Sequence, residues 1–480
     1  MAEKKDKIKV LFASPEVMPF GGTGGLGEVA GSLPRAVNKL TNSEVECRVI
    51  MPLYGSVKEE YRKKMTFLGH IDIPVVWRHQ YMGIFRLKQD GVIYYFVDNE
   101  YYFKRDSLYG FGDDCERFSY FSRAVIESSK LTGFEPDIIH ANDWQTALVP
   151  VLSKTLYWDK DIKSVFTIHN VEYQGRYGMD LLRDCIGLSA QDEHILELEE
   201  DVNLMKGAIV TADKVTTVSP NYARELTYPF SAFGLDRIIR ENEYKMTGIL
   251  NGINTASYDP SNDPSIEAAY SSKKIQGKKL CKRALQNSLG LPESDAPMIT
   301  MITRLVAPKG IDIVRELMDG DFLYNNNVQF VLLGTGDREY EDYFRYLQYT
   351  HPEKVRSLIE FNTATAHRIY AAGDMFLMPS RSEACGLAQM ISCRYGNVPI
   401  VRLTGGLADS ICEWDGENGN GFTFYDFNKY ELEGALRRAV ELYGKRNKWR
   451  VLVRHILEED FSWTRSAEEY HKLYTEMVNK

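Results

Sequence analysis

An α/β chain with two similar halves, each built on a mainly parallel sheet, is what three observations in the sequence predict. Short apolar runs end repeatedly in a polar or glycine-rich turn that opens onto a segment of helical periodicity, the pattern of βα units. The series breaks once, at Thr247-Gly-Ile-Leu-Asn-Gly-Ile-Asn followed by Asp259-Pro-Ser-Asn-Asp-Pro-Ser, a polar, proline-containing and non-periodic stretch that reads as a linker. The length, 480 residues, exceeds what one core ordinarily holds at about 150 residues per domain.

Residues 8–14 read as a buried first strand, followed by the turn Gly21-Gly-Thr-Gly-Gly-Leu-Gly and an amphipathic helix ending at Lys39. Glycines there permit close approach of the backbone to a ligand, and a helix start favours negative charge. Residues 45–52 give a second strand, and 81–97 alternate as a hairpin turning at Asp90-Gly91. Helical periodicity over 116–130 places Phe118, Phe121, Val125 and Ile126 on one face. Pro136-Asp-Ile-Ile-His-Ala-Asn-Asp-Trp is strand then turn, with a helix over 145–153, and the segments opening at Lys163 and Lys214 repeat the form. Beyond the linker, strands are predicted at 298–303, 328–333, 357–361, 375–378 and 398–401, each followed by a helical segment. Helices over 430–443, 449–459 and 466–477 close the chain.

An apolar content of 44% with 26% charged residues is that of a folded globular protein and excludes extended disorder. No apolar run reaches the roughly eighteen residues of a membrane span, and the start, Met-Ala-Glu-Lys-Lys-Asp-Lys, lacks a signal-peptide core, so a cytoplasmic protein with no membrane partner is expected. A net charge of −9 argues against bulk attraction to nucleic acid. The seven cysteines form no CxxC pair and no zinc spacing, and read as reduced, buried residues.

Four clusters fall where predicted strands end: the turn at 21–28, Asp143 with His169, Arg304 with Lys309, and Glu383 with the turn at 404–406. Singly each is ordinary, since a strand-end His is more often structural, an Arg/Lys pair is usually solvated and a lone acid is usually a cap. Two sheets whose carboxyl ends face each other across a cleft would bring all four together.

The joint pattern says more. Glu16-Val-Met-Pro-Phe with Thr23-Gly-Gly-Leu, His140-Ala-Asn-Asp-Trp-Gln-Thr, Phe166-Thr-Ile-His-Asn, Thr217-Val-Ser-Pro-Asn-Tyr-Ala-Arg-Glu and Gly248-Ile-Leu-Asn-Gly-Ile follow one another in the first half. Arg304-Leu with Pro308-Lys-Gly, Pro379-Ser-Arg-Ser-Glu-Ala-Cys-Gly-Leu and Thr404-Gly-Gly-Leu-Ala-Asp follow in the second. Together, over nearly the whole chain, they resemble the bacterial glycogen synthases and plant starch synthases.

That resemblance implies a GT-B fold of two Rossmann-like domains facing each other across a cleft: 1–250 on the acceptor side, 251–462 binding the nucleotide sugar, and 463–480 a helix packing back on the first domain. The implied reaction moves glucose from a nucleoside diphosphate glucose, usually ADP-glucose, to the 4-hydroxyl at the non-reducing end of an α-1,4-glucan, with retention and with no metal or other cofactor. By resemblance, Arg304 and Lys309 stabilise the departing pyrophosphate, Glu383 holds the sugar or its oxocarbenium-like centre, His169 and Asn170 contact the glucose around its 6-hydroxyl, and Asp143 lies near the reacting centre or acceptor. Thr23, Gly24, Gly25, Asn251, Phe361, Cys385, Gly386, Thr404, Gly405 and Gly406 are the implied binding residues, Phe361 at the base-stacking position, with the Gly405 and Gly406 amides adding oxyanion stabilisation. No second acid stands out to flank the sugar from the other side as in glycosidases, which favours a front-face mechanism.

The chain departs from the family's pattern at the donor rim. Gly22 stands where a Lys is usual, Glu28 where an Asp is common and Phe361 where a Tyr is expected, and Ala384, Ala388 and Ile391 are substitutions within the 379–391 stretch. These departures keep two alternatives in view: a retaining transferase using a UDP-sugar or a small acceptor, and a catalytically weakened glucan-binding partner of a synthase. Oligomeric state is not legible.

Overall fold

The computed structural model describes residues 7–22, 24–40 and 44–479. The chain divides into two compact units, one formed by 1–251 with 463–480 and the other by 252–462. No helix among the described residues is long and apolar enough to cross a membrane.

The strands of the first unit are β1 Ile8–Ala13, β2 Val45–Pro52, β3 Thr66–Val75, β4 Arg78–Gln89, β5 Val92–Asp98, β6 Ile138–Asn142, β7 Lys163–Ile168, β8 Arg176–Gly178, β9 Glu197–Leu198, β10 Asp201–Asn203, β11 Lys214–Thr217 and β12 Met246–Gly248. Nine of them form one sheet in the order β12-β11-β7-β6-β1-β2-β5-β4-β3, while β8, β10 and β9 form a small separate one. From β12 to β5 all pairings are parallel, and β4 and β3 extend the sheet antiparallel. The central strands are buried along nearly their whole length, as expected of parallel strands covered on both faces.

In this unit, two differences from the sequence reading follow from position at a sheet margin. β3, with Gly69 and Pro74 and an exposed outer pattern, shows no clear apolar run. The stretch read as linker from Thr247 begins inside β12, which pairs with β11 along one side only and is three residues long.

Helix Gly25–Lys39 turns Leu26, Val29, Leu33 and Val37 into the core and packs against helix Trp463–Val478, the final helix, which belongs to this unit although 252–462 precedes it in the chain. From that final helix the Tyr474 hydroxyl lies 2.7 Å from His140 Nδ1 on β6, and His140 Nε2 lies 2.5 Å from the Thr167 hydroxyl. Burial pushes the His140 pKa down to about 3, so the imidazole is a neutral structural link.

The second unit holds β13 Met298–Ile302, β14 Gln329–Leu333, β15 Val355–Leu358, β16 Met375–Met378, β17 Val398–Arg402 and β18 Phe422–Phe424. Their order, β15-β14-β13-β16-β17-β18, is all parallel and is the doubly wound Rossmann arrangement, in which the direction of winding reverses between the first and fourth strands. The segments entering and leaving the unit pair with each other, Ile253 N–H donating to the Phe461 carbonyl at 2.8 Å.

Candidate active site

In an open α/β sheet, ligands bind beyond the carboxyl ends of the strands at the switch point. In the second unit those ends belong to β13 and β16, which lead into 303–310 and 379–387. The two loops are clipped together. Gly310 has φ 75°, and a Cβ there would lie 2.0 Å from the Pro379 carbonyl oxygen, so only glycine allows the contact. The Arg381 amide donates to the Pro308 carbonyl at 2.8 Å. This brings Lys309 Nζ to 2.6 Å from Glu383 Oε2, and the Ser380 hydroxyl donates to the same oxygen at 3.2 Å. The two charged side chains are only 18% and 12% exposed.

A second layer fixes the backbone of Glu383. Gly405 has φ 44°, and a Cβ on it would lie 1.8 Å from the Glu383 carbonyl oxygen, while one on Gly406 would lie 2.2 Å from that of Cys385. The Gly406 amide donates to the Glu383 and Ala384 carbonyls at 3.2 and 3.1 Å. This corrects the expectation of an anion-binding amide at 406: the N–H is engaged within the protein, and helix Gly405–Ser410 is too short to present a substantial dipole. These glycines instead let the Thr404 turn lie in backbone contact with the loop carrying Glu383.

Gln389, fully buried, was not singled out as a site residue although it lies inside the quoted motif region. Its amide donates to the Cys385 and Gly386 carbonyls and to the Ser410 hydroxyl at 3.1, 2.9 and 3.0 Å. Arg402, also missed, donates to the Arg381 carbonyl at 2.9 Å and ties this loop to the turn after β18. Arg304, just past β13, is exposed and forms no ion pair among the described residues. Phe361 follows β15, two strands from β13, and is 91% exposed.

In the first unit the corresponding reversal lies between β1 and β6. The chain leaving β1 folds back on the helix it precedes, with the Met18 amide donating to the Gly27 carbonyl at 2.9 Å and Glu16 buried and accepting a hydrogen bond from the Tyr109 hydroxyl. Gly24 and Gly25 open helix Gly25–Lys39 without a side-chain cap, and a Cβ on either would meet open space. Thr23 lies outside the described residues.

Asp143, directly after β6, has φ 56° and ψ 179°, a conformation costing a non-glycine residue about 1–3 kcal/mol. Its Oδ1 accepts the amides of His169 and Asn170 at 2.7 and 3.4 Å. Desolvation, partly offset by these amides, raises its pKa to about 7. Asn142 donates its amide to the Ala13 and His140 carbonyls, so its Oδ1 is the acceptor for His169 at 2.9 Å. His169 therefore carries its proton on Nε2 and keeps Nδ1 as an acceptor, and burial holds it neutral with a pKa near 3.

Lys309, Glu383, Cys385, Gly386, Thr404, Gly405 and Gly406 thus form one cluster, and Asp143, His169 and Asn170 another. Asn251 lies apart from the second cluster, beyond β12 at the end of the sheet, buried and with no hydrogen-bond partner for its Oδ1 among the described residues.

The raised Asp143 pKa predicts a pH-dependent stability. Between the ordinary carboxyl value of about 3.9 and about 7, the folded chain holds a proton that the unfolded chain has released, so this group's contribution to stability falls as pH rises through that window. Asp143→Asn keeps the acceptor for the two amides and removes the titration. Its advantage over wild type grows by about 2 kcal/mol, or a few degrees in melting temperature, between roughly pH 5.5 and 8.5. Parallel melting curves across that range contradict the shift.

The comparisons with known proteins cover both units. The family profile described as the starch synthase catalytic domain matches residues 9–241, and that of glycosyl transferases group 1 matches 283–452. The chain is 45% identical to a protein named glycogen synthase from Bacillus cereus (strain Q1), across 98% of this chain and 100% of that one. A glycogen synthase from Bacillus subtilis (strain 168) is 44% identical over 98% of each chain. Among solved structures, the catalytic domain of starch synthase IV from Arabidopsis thaliana, bound to ADP and acarbose, superposes with a TM-score of 0.89 at 36% identity, covering 99% of this chain and 100% of that one.

Proposed function

The chain belongs to the glycogen synthase and starch synthase family of GT-B glycosyltransferases, and from that premise we propose that it transfers glucose from ADP-glucose to the non-reducing-end 4-hydroxyl of an α-1,4-glucan with retention. The observation that carries the reading is the Lys309–Glu383 pair at the switch point, with Arg304 at the end of the adjacent strand.

As the bond from the anomeric carbon to the phosphate oxygen lengthens, positive charge grows on the carbon and negative charge on the oxygen. A fixed anion and cation 2.6 Å apart match that separation. Glu383 faces the oxocarbenium-like carbon, Lys309 and Arg304 the pyrophosphate, and each interaction is stronger in the transition state than in the ground state. The acceptor oxygen bonds to the anomeric carbon on the face the phosphate leaves, its proton passes to the departing phosphate oxygen, and ADP is released. His169, neutral and with Nδ1 as acceptor, takes a hydrogen bond from the 6-hydroxyl, and Asp143 orients the acceptor. No metal or further cofactor belongs to this proposal. The third expectation, a weakened glucan-binding partner, is disfavoured by the intact Arg304, Lys309 and Glu383.

The test is incubation with ADP-glucose, UDP-glucose and glycogen: extension with ADP-glucose supports the assignment, and extension with UDP-glucose alone replaces the donor. The donor alternative is favoured by Gly22. A Cβ there would stand 3.3 Å from Glu16 Oε2, Gly27 Cα and Met18 Sδ, tighter than ordinary contact, so these neighbours must give way slightly to admit it. Gly22→Lys would restore a cation, and the KM for ADP-glucose is expected to fall by roughly tenfold with kcat unchanged. An unaltered KM makes the missing lysine immaterial.

A further inference from the structure

Asn142, the last residue of β6, is fully buried and has no freedom to turn. β6 lies between β1 and β7, so a side chain at its end reaches the ends of both. The main chain here is closed by Thr146, whose hydroxyl accepts the Asn142 N–H at 2.5 Å and donates to the Asn142 carbonyl at 2.8 Å. The side-chain amide donates to the Ala13 carbonyl at the end of β1 and to the His140 carbonyl, at 3.0 and 3.2 Å. Both partners are acceptors, so the amide cannot be turned end for end, and Oδ1 faces the other way. There it meets His169 Nε2 at 2.9 Å.

The effect is felt on the far side of the ring. A neutral imidazole carries one N–H and one lone pair, and the asparagine oxygen takes the N–H. Nδ1 keeps the lone pair, and no group among the described residues donates to it. The ring is also held from its main chain, the His169 amide donating to Asp143 Oδ1 at 2.7 Å, and it is only partly covered. A hydroxyl can donate to such a lone pair; a carboxylate cannot.

We propose that Asn142 is a specificity-determining residue for the donor sugar: by fixing the polarity of His169 it admits a sugar with a hydroxyl at C6 and turns away one with a carboxylate there. A uronic acid would set its oxygen lone pairs and its negative charge against the Nδ1 lone pair, with no proton between them. Taking up a proton to repair the contact would charge a ring that burial holds neutral. The inference rests on the reading above, in which His169 meets the 6-hydroxyl of the transferred glucose.

Wild type, Asn142→Leu and Asn142→Asp would be compared at about pH 8.5, where the ring is uncharged, with glucose and glucuronic acid each presented on the nucleoside diphosphate that supports extension of glycogen. Both variants lose the amide donors to Ala13 and His140 and share that structural cost. Aspartate alone keeps an oxygen toward Nε2. Wild type is expected to use the uronic acid donor with a kcat/KM roughly a thousandfold or more below that for glucose. In Asn142→Leu the Nε2 position faces alkyl carbon, the proton moves to Nδ1, and the ratio shrinks by roughly tenfold or more; Asn142→Asp keeps the wild-type ratio. An unchanged ratio in Asn142→Leu overturns the proposal, as do an equal fall for both donors in both variants and equal use of the two sugars by wild type. Nitrogen NMR of wild type labelled with nitrogen-15 histidine, with His169 assigned by its loss in His169→Gln, requires no variant at 142 to fold: a proton on Nε2 supports the proposal and a proton on Nδ1 overturns it. Should wild type extend glycogen with no donor, the glucan-synthase reading fails by itself, and titration calorimetry with ADP-glucose and ADP-glucuronic acid still reads the selectivity. Preferential binding of ADP-glucose that Asn142→Leu reduces supports the role of Asn142, and binding of both alike, or of neither, overturns it.

Discussion

Glu383→Gln is expected to leave the protein folded and to lower kcat for glucan extension by roughly a thousandfold. Glutamine keeps the size of the side chain and an oxygen for the Ser380 hydroxyl, now 3.2 Å away, and the backbone contacts to Gly405 and Gly406 do not involve the side chain at all. What disappears is the negative charge beside the developing positive carbon. Removing one pre-oriented stabilising group from a water-poor site costs about 100- to 1,000-fold or about 2.7–4 kcal/mol, and here the group lost is a full charge. Initial rates with ADP-glucose and glycogen, beside a melting curve, are sufficient. A variant retaining more than about a tenth of wild-type kcat with normal melting would remove Glu383 from the chemistry.

Lys309→Ala is expected to cost about 100- to 1,000-fold in kcat/KM, and the effect should not add to that of Glu383→Gln. The two side chains form a single charge pair, so the first substitution already leaves the remaining partner without its counter-charge. The double variant should therefore be about as active as the worse single variant. Rates that multiply independently would mean that Lys309 and Glu383 act separately and that their 2.6 Å contact has no part in the reaction.

Much of this arrangement was legible in the sequence because parallel strands buried on both faces carry uninterrupted apolar runs. β16, Met375–Met378, has the bounds its apolar run suggested, and β2, Val45–Pro52, likewise. Legibility failed where a strand lies at a margin. β15 begins at Val355 rather than 357 because, paired on one side, it is only partly buried after its first residue. β18, Phe422–Phe424, is three residues behind a glycine.

At the site, residue types announced themselves but their partners did not. The acid and cations could be named from their motifs, whereas nothing in the spacing of 309 and 383 says that a glycine at 310 presses one loop onto the other. The glycines at 405 and 406 were read as donors to a ligand, since a Gly-rich helix start usually is one. The Gly406 amide is instead taken up by the Glu383 and Ala384 carbonyls, more than twenty residues earlier in the chain.

The return of helix Trp463–Val478 to the first unit also orders events during synthesis. Chain emerging from a ribosome would supply β1 to β12 early, but the Tyr474 hydroxyl that meets His140 arrives only after the whole of 252–462 has been made. Until then the strand leading to Asp143 carries a buried imidazole lacking one of its two partners. The second unit, continuous in sequence, has no such wait. The unit that begins first is thus the one that finishes last.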